Sequence, residues 1–193
     1  IEAGGNATIE NCTLSSNGLS GIFALSACRI AHNTCAANLG SGVWVTGASN
    51  RIDGNHCTGN ARGIDVDVAG NFIIRNGIIR NWGGSGIDAS LTSNALIESV
   101  AVQNNGGIGL KVDQCGVVTR CVARDNVLVG LLMGYGSTLR DCAARNNGDD
   151  GIQGGTGCVV ISCASRDNGD DGVQVGEGGS VSDCSVTANS DDG

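Results

Sequence analysis

An Asn recurs along this chain at a nearly fixed interval, and that interval limits what the chain can fold into. The series is Asn17, Asn38, Asn60, Asn81, Asn105, Asn126, Asn147, Asn168 and Asn189, with steps of 21, 22, 21, 24, 21, 21, 21 and 21 residues. Self-similarity at this period marks a solenoid, in which each repeat covers the apolar face of its neighbour. Nine repeats use all 193 residues, so the chain reads as a single domain over 1–193. Eight residues before each Asn stands an aliphatic: Ile9, Ile30, Ile52, Ile73, Ile97, Val118, Leu139, Val160 and Val181. Five before it runs a file of Cys, Asn and Val that includes Cys12, Asn33, Asn76, Cys121 and Cys142. Three before it the file includes Leu14, Cys35, Ile78 and Val102. A Gly followed by an aliphatic comes after the Asn, as in Gly21-Ile22, Gly63-Ile64 and Gly172-Val173.

A repeat of this length cannot hold a strand and a crossover helix, and the dense leucines of a leucine-rich repeat are missing. The remaining solution lays one strand on the next. Coils then lie ~4.8 Å apart, and nine of them span roughly 43 Å. The expected fold is therefore all-β, a parallel β-helix with inward files of like residues and turns served by Gly and Asn, which tolerate positive φ. The 33 Gly agree, and so does the absence of Pro, which would remove a ladder donor at almost any position.

The segment IENCTLSSNGLSGI at 9–22, repeated along the chain, resembles the right-handed parallel β-helix repeats of the pectin-lyase-like superfamily. The resemblance covers all nine coils and is specific for the fold. It implies an extracellular or cell-surface protein, in a group that holds pectate and alginate lyases, polygalacturonases, epimerases, phage tailspikes and other surface proteins.

Charge narrows the partners. Eleven Lys and Arg stand against 19 Asp and Glu, a net charge of −8, which argues against bare nucleic acid and anionic membrane. The sequence carries no apolar run long enough to span a bilayer. Ten Cys would suggest disulfides in a secreted chain, but five of them share a repeat file with Asn and Val. Stacked side chains in such a file point in parallel, so these Cys read as small, buried, inert filler rather than as disulfides.

The residue after the Gly-aliphatic pair should face outward, because strand side chains alternate. That column runs Glu2, Phe23, Trp44, Asp65, Asp88, Lys111, Leu132, Gln153 and Gln174. Phe23 and Trp44 offer an aromatic platform for sugar rings. Asp65 and Asp88 on adjacent coils suit a retaining carboxylate pair, and Lys111, the single Lys of the chain, suits proton abstraction from a uronate. Asp67 and Asp113 flank the same column as further binding residues. The longer repeat steps fall on these coils, and insertions in solenoids tend to mark a functional face. The reading is an extracellular β-helix that binds an acidic polysaccharide, and processes it as a lyase, hydrolase or epimerase. The alternative is a non-catalytic solenoid: an adhesin, a spacer or a self-stacking fibre segment.

Two aspartates recur at one turn on successive coils: Asp149/Asp150, Asp170/Asp171 and Asp191/Asp192. Neighbouring carboxylates ~5 Å apart repel by ~3 kcal/mol at an effective dielectric of 20. Either the Arg file Arg124, Arg145 and Arg166 offsets that repulsion, or Ca²⁺ bridges Asp149, Asp150, Asp170 and Asp171 through carboxylate oxygens. GDDGI also resembles the Gly-Asp-Asp segment of polygalacturonases, but their His-Gly and Arg-Ile-Lys segments have no counterpart here. The chain starts just after the repeat Gly and stops on it, which leaves open sheet edges on the first and last coils. The expectation is a set of coils from a longer chain whose caps are missing, with end-to-end self-association as the alternative.

Overall fold

The computed structural model describes all 193 residues except 60, 68 and 69. Asn60 of the repeating series therefore lies outside the described residues. Each coil contributes three short strands, and the described residues form three parallel sheets of nine strands. The first sheet includes the strands Ile22–Ala24, Ser41–Val45, Arg62–Val66, Ile87–Ser93 and Leu110–Gln114. In every sheet a strand pairs with its equivalent one coil away, so the expected parallel β-helix is what the chain forms.

Inward files build the core. In the first sheet Ile22, Val43, Ile64, Ile87, Leu110, Leu131 and Ile152 stack in register and are all buried. The second sheet stacks Ile30, Ile52, Ile74, Ile97, Val118, Leu139 and Val160 in the same way. Most strands bury only one or two side chains. Stability therefore comes from adding one nearly identical layer to the next, as in other solenoids.

The Asn file is a ladder of amides. Asn105, Asn126, Asn147 and Asn168 are buried, and each donates from Nδ2 to the Oδ1 of the next at 2.9–3.0 Å. The same Oδ1 atoms accept the backbone N–H of the preceding coil's Asn at 3.1–3.3 Å. Gly21, Gly86, Gly109, Gly130, Gly151 and Gly172, each one residue before an aliphatic of the first sheet, lie against this ladder. A Cβ on Gly21 would come within 2.8 Å of the Gly42 carbonyl oxygen and 3.0 Å of Asn38 Nδ2, so close approach and not turn geometry requires Gly there.

The turns depart from the expectation. Just before the Asn file, Ser16, Ala37, Asn81, Asn104, Asp125, Asn146, Asp167 and Ala188 adopt φ of 51–61°. A second corner does the same through Asn11, His32, Asn76, Ser99, Arg120, Asp141, Ser162 and Asp183. Most of these residues are neither Gly nor Asn. Each left-handed residue costs of order 1 kcal/mol. Inter-coil backbone bonds offset the cost, such as Ser16 N–H to the Ala36 oxygen at 3.0 Å. His32 is one of these corner residues and is exposed.

The register differs by one residue on the fourth coil. Asn81 occupies the left-handed corner, and Trp82 takes the Asn position, its N–H donating to Asn105 Oδ1 at 3.3 Å. Ile74 and Ile79 therefore fill the core instead of Ile73 and Ile78; Ile78 is 44% exposed and Ile79 fully buried. Gly77, not Asn76, stands in the Cys/Asn file, since its oxygen accepts from Ala101 N–H as Cys12 does from Thr34. The cause is the replaced anchor: with a buried indole in the Asn position, the neighbouring Asn imitates it in the sequence. The extra residues of the next step lie in Ile87–Ser93, whose pairing shifts between Ala89 and Ser93.

Candidate functional site

The first sheet aligns the outward column as its spacing predicts. Glu2, Phe23, Trp44, Asp65, Asp88, Lys111, Leu132, Gln153 and Gln174 are successive register partners. Phe23 and Trp44 meet with ring centroids 4.9 Å apart and planes tilted by 55°. Trp44 Nε1 donates to Asp67 Oδ2 at 2.8 Å, which fixes the indole across the strand.

A groove of about 730 Å³ runs over these coils. Its floor is Phe23 and Trp44, Leu19 stands at one side, and Glu2, Arg62, Asp65 and Asp67 supply the charges. The volume lies in the usual range for ligand sites, roughly 300–1,000 Å³. From Glu2 to Asp65 the column spans three coil spacings, ~14 Å.

Asp65 does not face solvent. It is 6% exposed, and its Oδ2 accepts from Arg62 Nη1 at 2.8 Å and from Ser41 Oγ at 3.4 Å. Burial pushes its carboxyl above the usual range; Arg62 pulls it back, while the charges of Asp67 and Asp88 push the same way as burial. Arg62, three residues before Asp65, gave no signal in the sequence, because no other coil carries an Arg at that position. Its strand, Arg62–Val66, starts level with Ser41–Val45 on the coil before, where Ser41 is its register partner.

Asp88, Lys111 and Asp113 lie beyond the groove and do not line it. Asp88 Oδ1 accepts from Ser90 N–H at 3.2 Å. The Lys111 and Asp88 strands are paired, but among the described residues no ion pair within 4.0 Å joins the two side chains. The expected stripe is thus continuous in the sheet and divided in shape: Glu2, Phe23, Trp44, Asp65 and Asp67 share a groove, and Asp88, Lys111 and Asp113 lie outside it.

The repeated aspartates sit seven to nine coils along, at the turn leading into the first sheet. Asp149, Asp150 and Asp170 bring one carboxylate oxygen each within 4.8 Å of one another, as do Asp170, Asp171 and Asp191. Part of the reason for the pattern is internal. Asp150 Oδ1 accepts the Asp171 N–H at 3.0 Å, and Asp171 Oδ1 accepts the Asp192 N–H at 3.1 Å, so each carboxylate caps the next coil. Asp150 Oδ2 also accepts from Gln153 Nε2 at 2.9 Å. Burial first, and then the charges of Asp149, Asp171 and Asp170, raise the Asp150 carboxyl, against the opposing Asp171 N–H. Arg124, Arg145 and Arg166 stack in register, but Arg124 and Arg166 pair with their own neighbours Asp125 at 2.6 Å and Asp167 at 3.1 Å.

All ten cysteines are free thiols. Cys121, Cys142 and Cys163 form one buried file. The neighbouring Cys121, ahead of burial, pushes the Cys142 thiol up to about 12.

Comparison with known proteins agrees with this architecture. The family described as right handed beta helix region matches residues 1–138 and 63–193, which together span the chain. The chain belongs to this family of right-handed β-helix repeat proteins. Among solved structures it is similar to the crystal structure of pectate lyase Pel9A, with 14% identity and a TM-score of 0.56 over 92% of this chain. The chain spans 66% of that lyase's length, and at this identity the likeness concerns the fold alone. A second similarity, to QnrB1, a plasmid-mediated fluoroquinolone resistance protein, has 11% identity and a TM-score of 0.26 over 93% of this chain and 91% of that one. No curated protein matches the chain. Among the described residues no helix is long and apolar enough to cross a membrane.

Proposed function

We propose that this β-helix is an extracellular polysaccharide-binding protein, and that a glycan chain lies in the groove over Phe23 and Trp44. The observation that supports the reading most is the pair of half-exposed aromatic rings at the floor of a groove, on a sheet whose other outward positions are mostly polar. Sugar rings present apolar faces to such a platform and hydroxyls to its rim. Asp67 and Glu2 stand at that rim as acceptors, while Asp65, tied to Arg62, holds the groove wall. Isothermal titration of a glycan panel against wild type, Trp44→Ala and Phe23→Ala tests it. Saturable binding that drops about tenfold or more in both variants, equivalent to ~1.4 kcal/mol, is the expected result. Unchanged binding in Trp44→Ala refutes the site.

Turnover at the same place is a second reading, favoured by the raised Asp65 carboxyl beside Asp88 on the adjacent strand. In this reading Asp65 and Asp88 form the carboxylate pair beside the scissile bond, and Lys111 and Asp113 bind the portion of the chain beyond the groove. Loss of product formation in Asp88→Asn, with glycan binding intact, separates it from binding alone.

A further inference from the structure

We infer that the Phe23–Trp44 groove selects a glycan bearing amines rather than carboxylates, an oligomer of the hexosamine class. This rests on the reading of the groove as a glycan site and names its substrate class. The charged side chains that line the groove are Glu2, Asp65, Asp67 and Arg62, three acids against one base. Arg62 Nη1 lies 2.8 Å from Asp65 Oδ2, so these two charges offset each other and Glu2 and Asp67 remain as uncompensated acids. A uronate carboxylate entering the groove therefore meets a lining of net negative charge. Lys111, the only Lys, stands two coils past Asp65 and outside the lining, with Asp88 between them.

A divalent cation could in principle reverse that preference by bridging groove and uronate, but this requires groove carboxylates that converge. Among the described residues the acids that do converge belong to the turn of Asp149, Asp150, Asp170, Asp171 and Asp191, several coils away. In the groove, Asp65 is buried against Arg62, leaving Glu2 and Asp67 as the exposed acids. These two flank the aromatic floor, and Asp67 is held at the edge of the Trp44 ring. An ammonium group suits both features at once: ring faces attract cations, and the carboxylates supply the counter-charge. The net charge of −8 extends the same field over the approach to the groove.

The test is calorimetric titration of the whole chain with three oligosaccharides of equal length: glucosamine, N-acetylglucosamine and galacturonate. Each is run at low and high salt, and the galacturonate also with calcium. An exposed charge pair is worth up to about fivefold in affinity. Glu2 and Asp67 together should therefore favour the glucosamine oligomer over its acetylated form by roughly tenfold at low salt. The preference should shrink at high salt and in both Asp67→Asn and Glu2→Gln. Glu2→Gln alters an exposed side chain and keeps the test usable if Asp67→Asn disturbs Trp44. Equal affinity for the amine and acetylated oligomers overturns the inference, as does galacturonate binding as tightly as glucosamine with or without calcium; both leave the glycan groove standing. Binding of none of the three overturns the groove as a glycan site, and this inference with it.

Discussion

Replacing Asn147 by Ala tests what holds the coils in register. The side chain is 2% exposed and makes four hydrogen bonds across three coils. Its Oδ1 accepts from the Asn126 N–H at 3.3 Å and from Asn126 Nδ2 at 2.9 Å. Its Nδ2 donates to the Ala123 oxygen at 3.3 Å and to Asn168 Oδ1 at 3.0 Å. Ala removes all four and leaves the Asn126 N–H buried without that acceptor, a loss of about 1–3 kcal/mol by itself. The remaining bonds add about 1 kcal/mol or less each, because Asn126 Nδ2 keeps the Val102 oxygen and Asn168 Oδ1 keeps the Asn147 N–H. The expected destabilisation is about 3 kcal/mol, or ~6–12 °C in melting temperature for a chain of this size. Urea unfolding followed by far-ultraviolet circular dichroism measures it. The matched control is Asn146→Gly, one residue away, which removes an exposed side chain at φ 51° where Gly fits. Its effect should stay within about 0.5 kcal/mol. A loss below about 1 kcal/mol in Asn147→Ala, or equal losses in the two variants, would refute the amide ladder as a source of stability.

Other expectations follow from the same geometry. The raised Asp150 carboxyl makes its ionisation unfavourable to the folded state, so its contribution grows as pH falls through the raised folded-state range. Wild type should therefore gain stability relative to Asp150→Asn between neutral pH and the ordinary carboxylate range, then level off; a difference independent of pH contradicts the shift. Millimolar Ca²⁺ should raise the melting temperature of wild type and not of Asp170→Asn, because the cation would relieve repulsion among converging carboxylates; no change in wild type leaves capping as the only role of that file. A thiol reagent at mildly alkaline pH should label Cys115 first, as the one exposed Cys, while Cys121, Cys142 and Cys163 react only on unfolding; rapid labelling of that buried file contradicts its packing.

Most of the architecture was already in the amino-acid sequence. A repeat near 21 residues, with aliphatic, Asn and Gly files in phase, leaves stacked parallel coils as the solution, because translation by one coil must bring like against like. The outward order from Glu2 to Gln174 follows from strand alternation alone. What periodicity could not supply were features built between columns. Trp82 took the Asn position and moved the fourth coil by one residue, since backbone N–H groups and not side-chain identity carry the register there. Arg62 drew Asp65 into the wall, and Asp67 fixed the edge of Trp44; both are lateral contacts between pairs of residues that recur in no other coil. The groove ends at Asp65 and Asp67 because the early coils frame it with Leu19 and Arg62, whereas Asp88 and Lys111 lie past that frame. A repeat determines which residues share a file, but only packing across the files decides which of them face a common space.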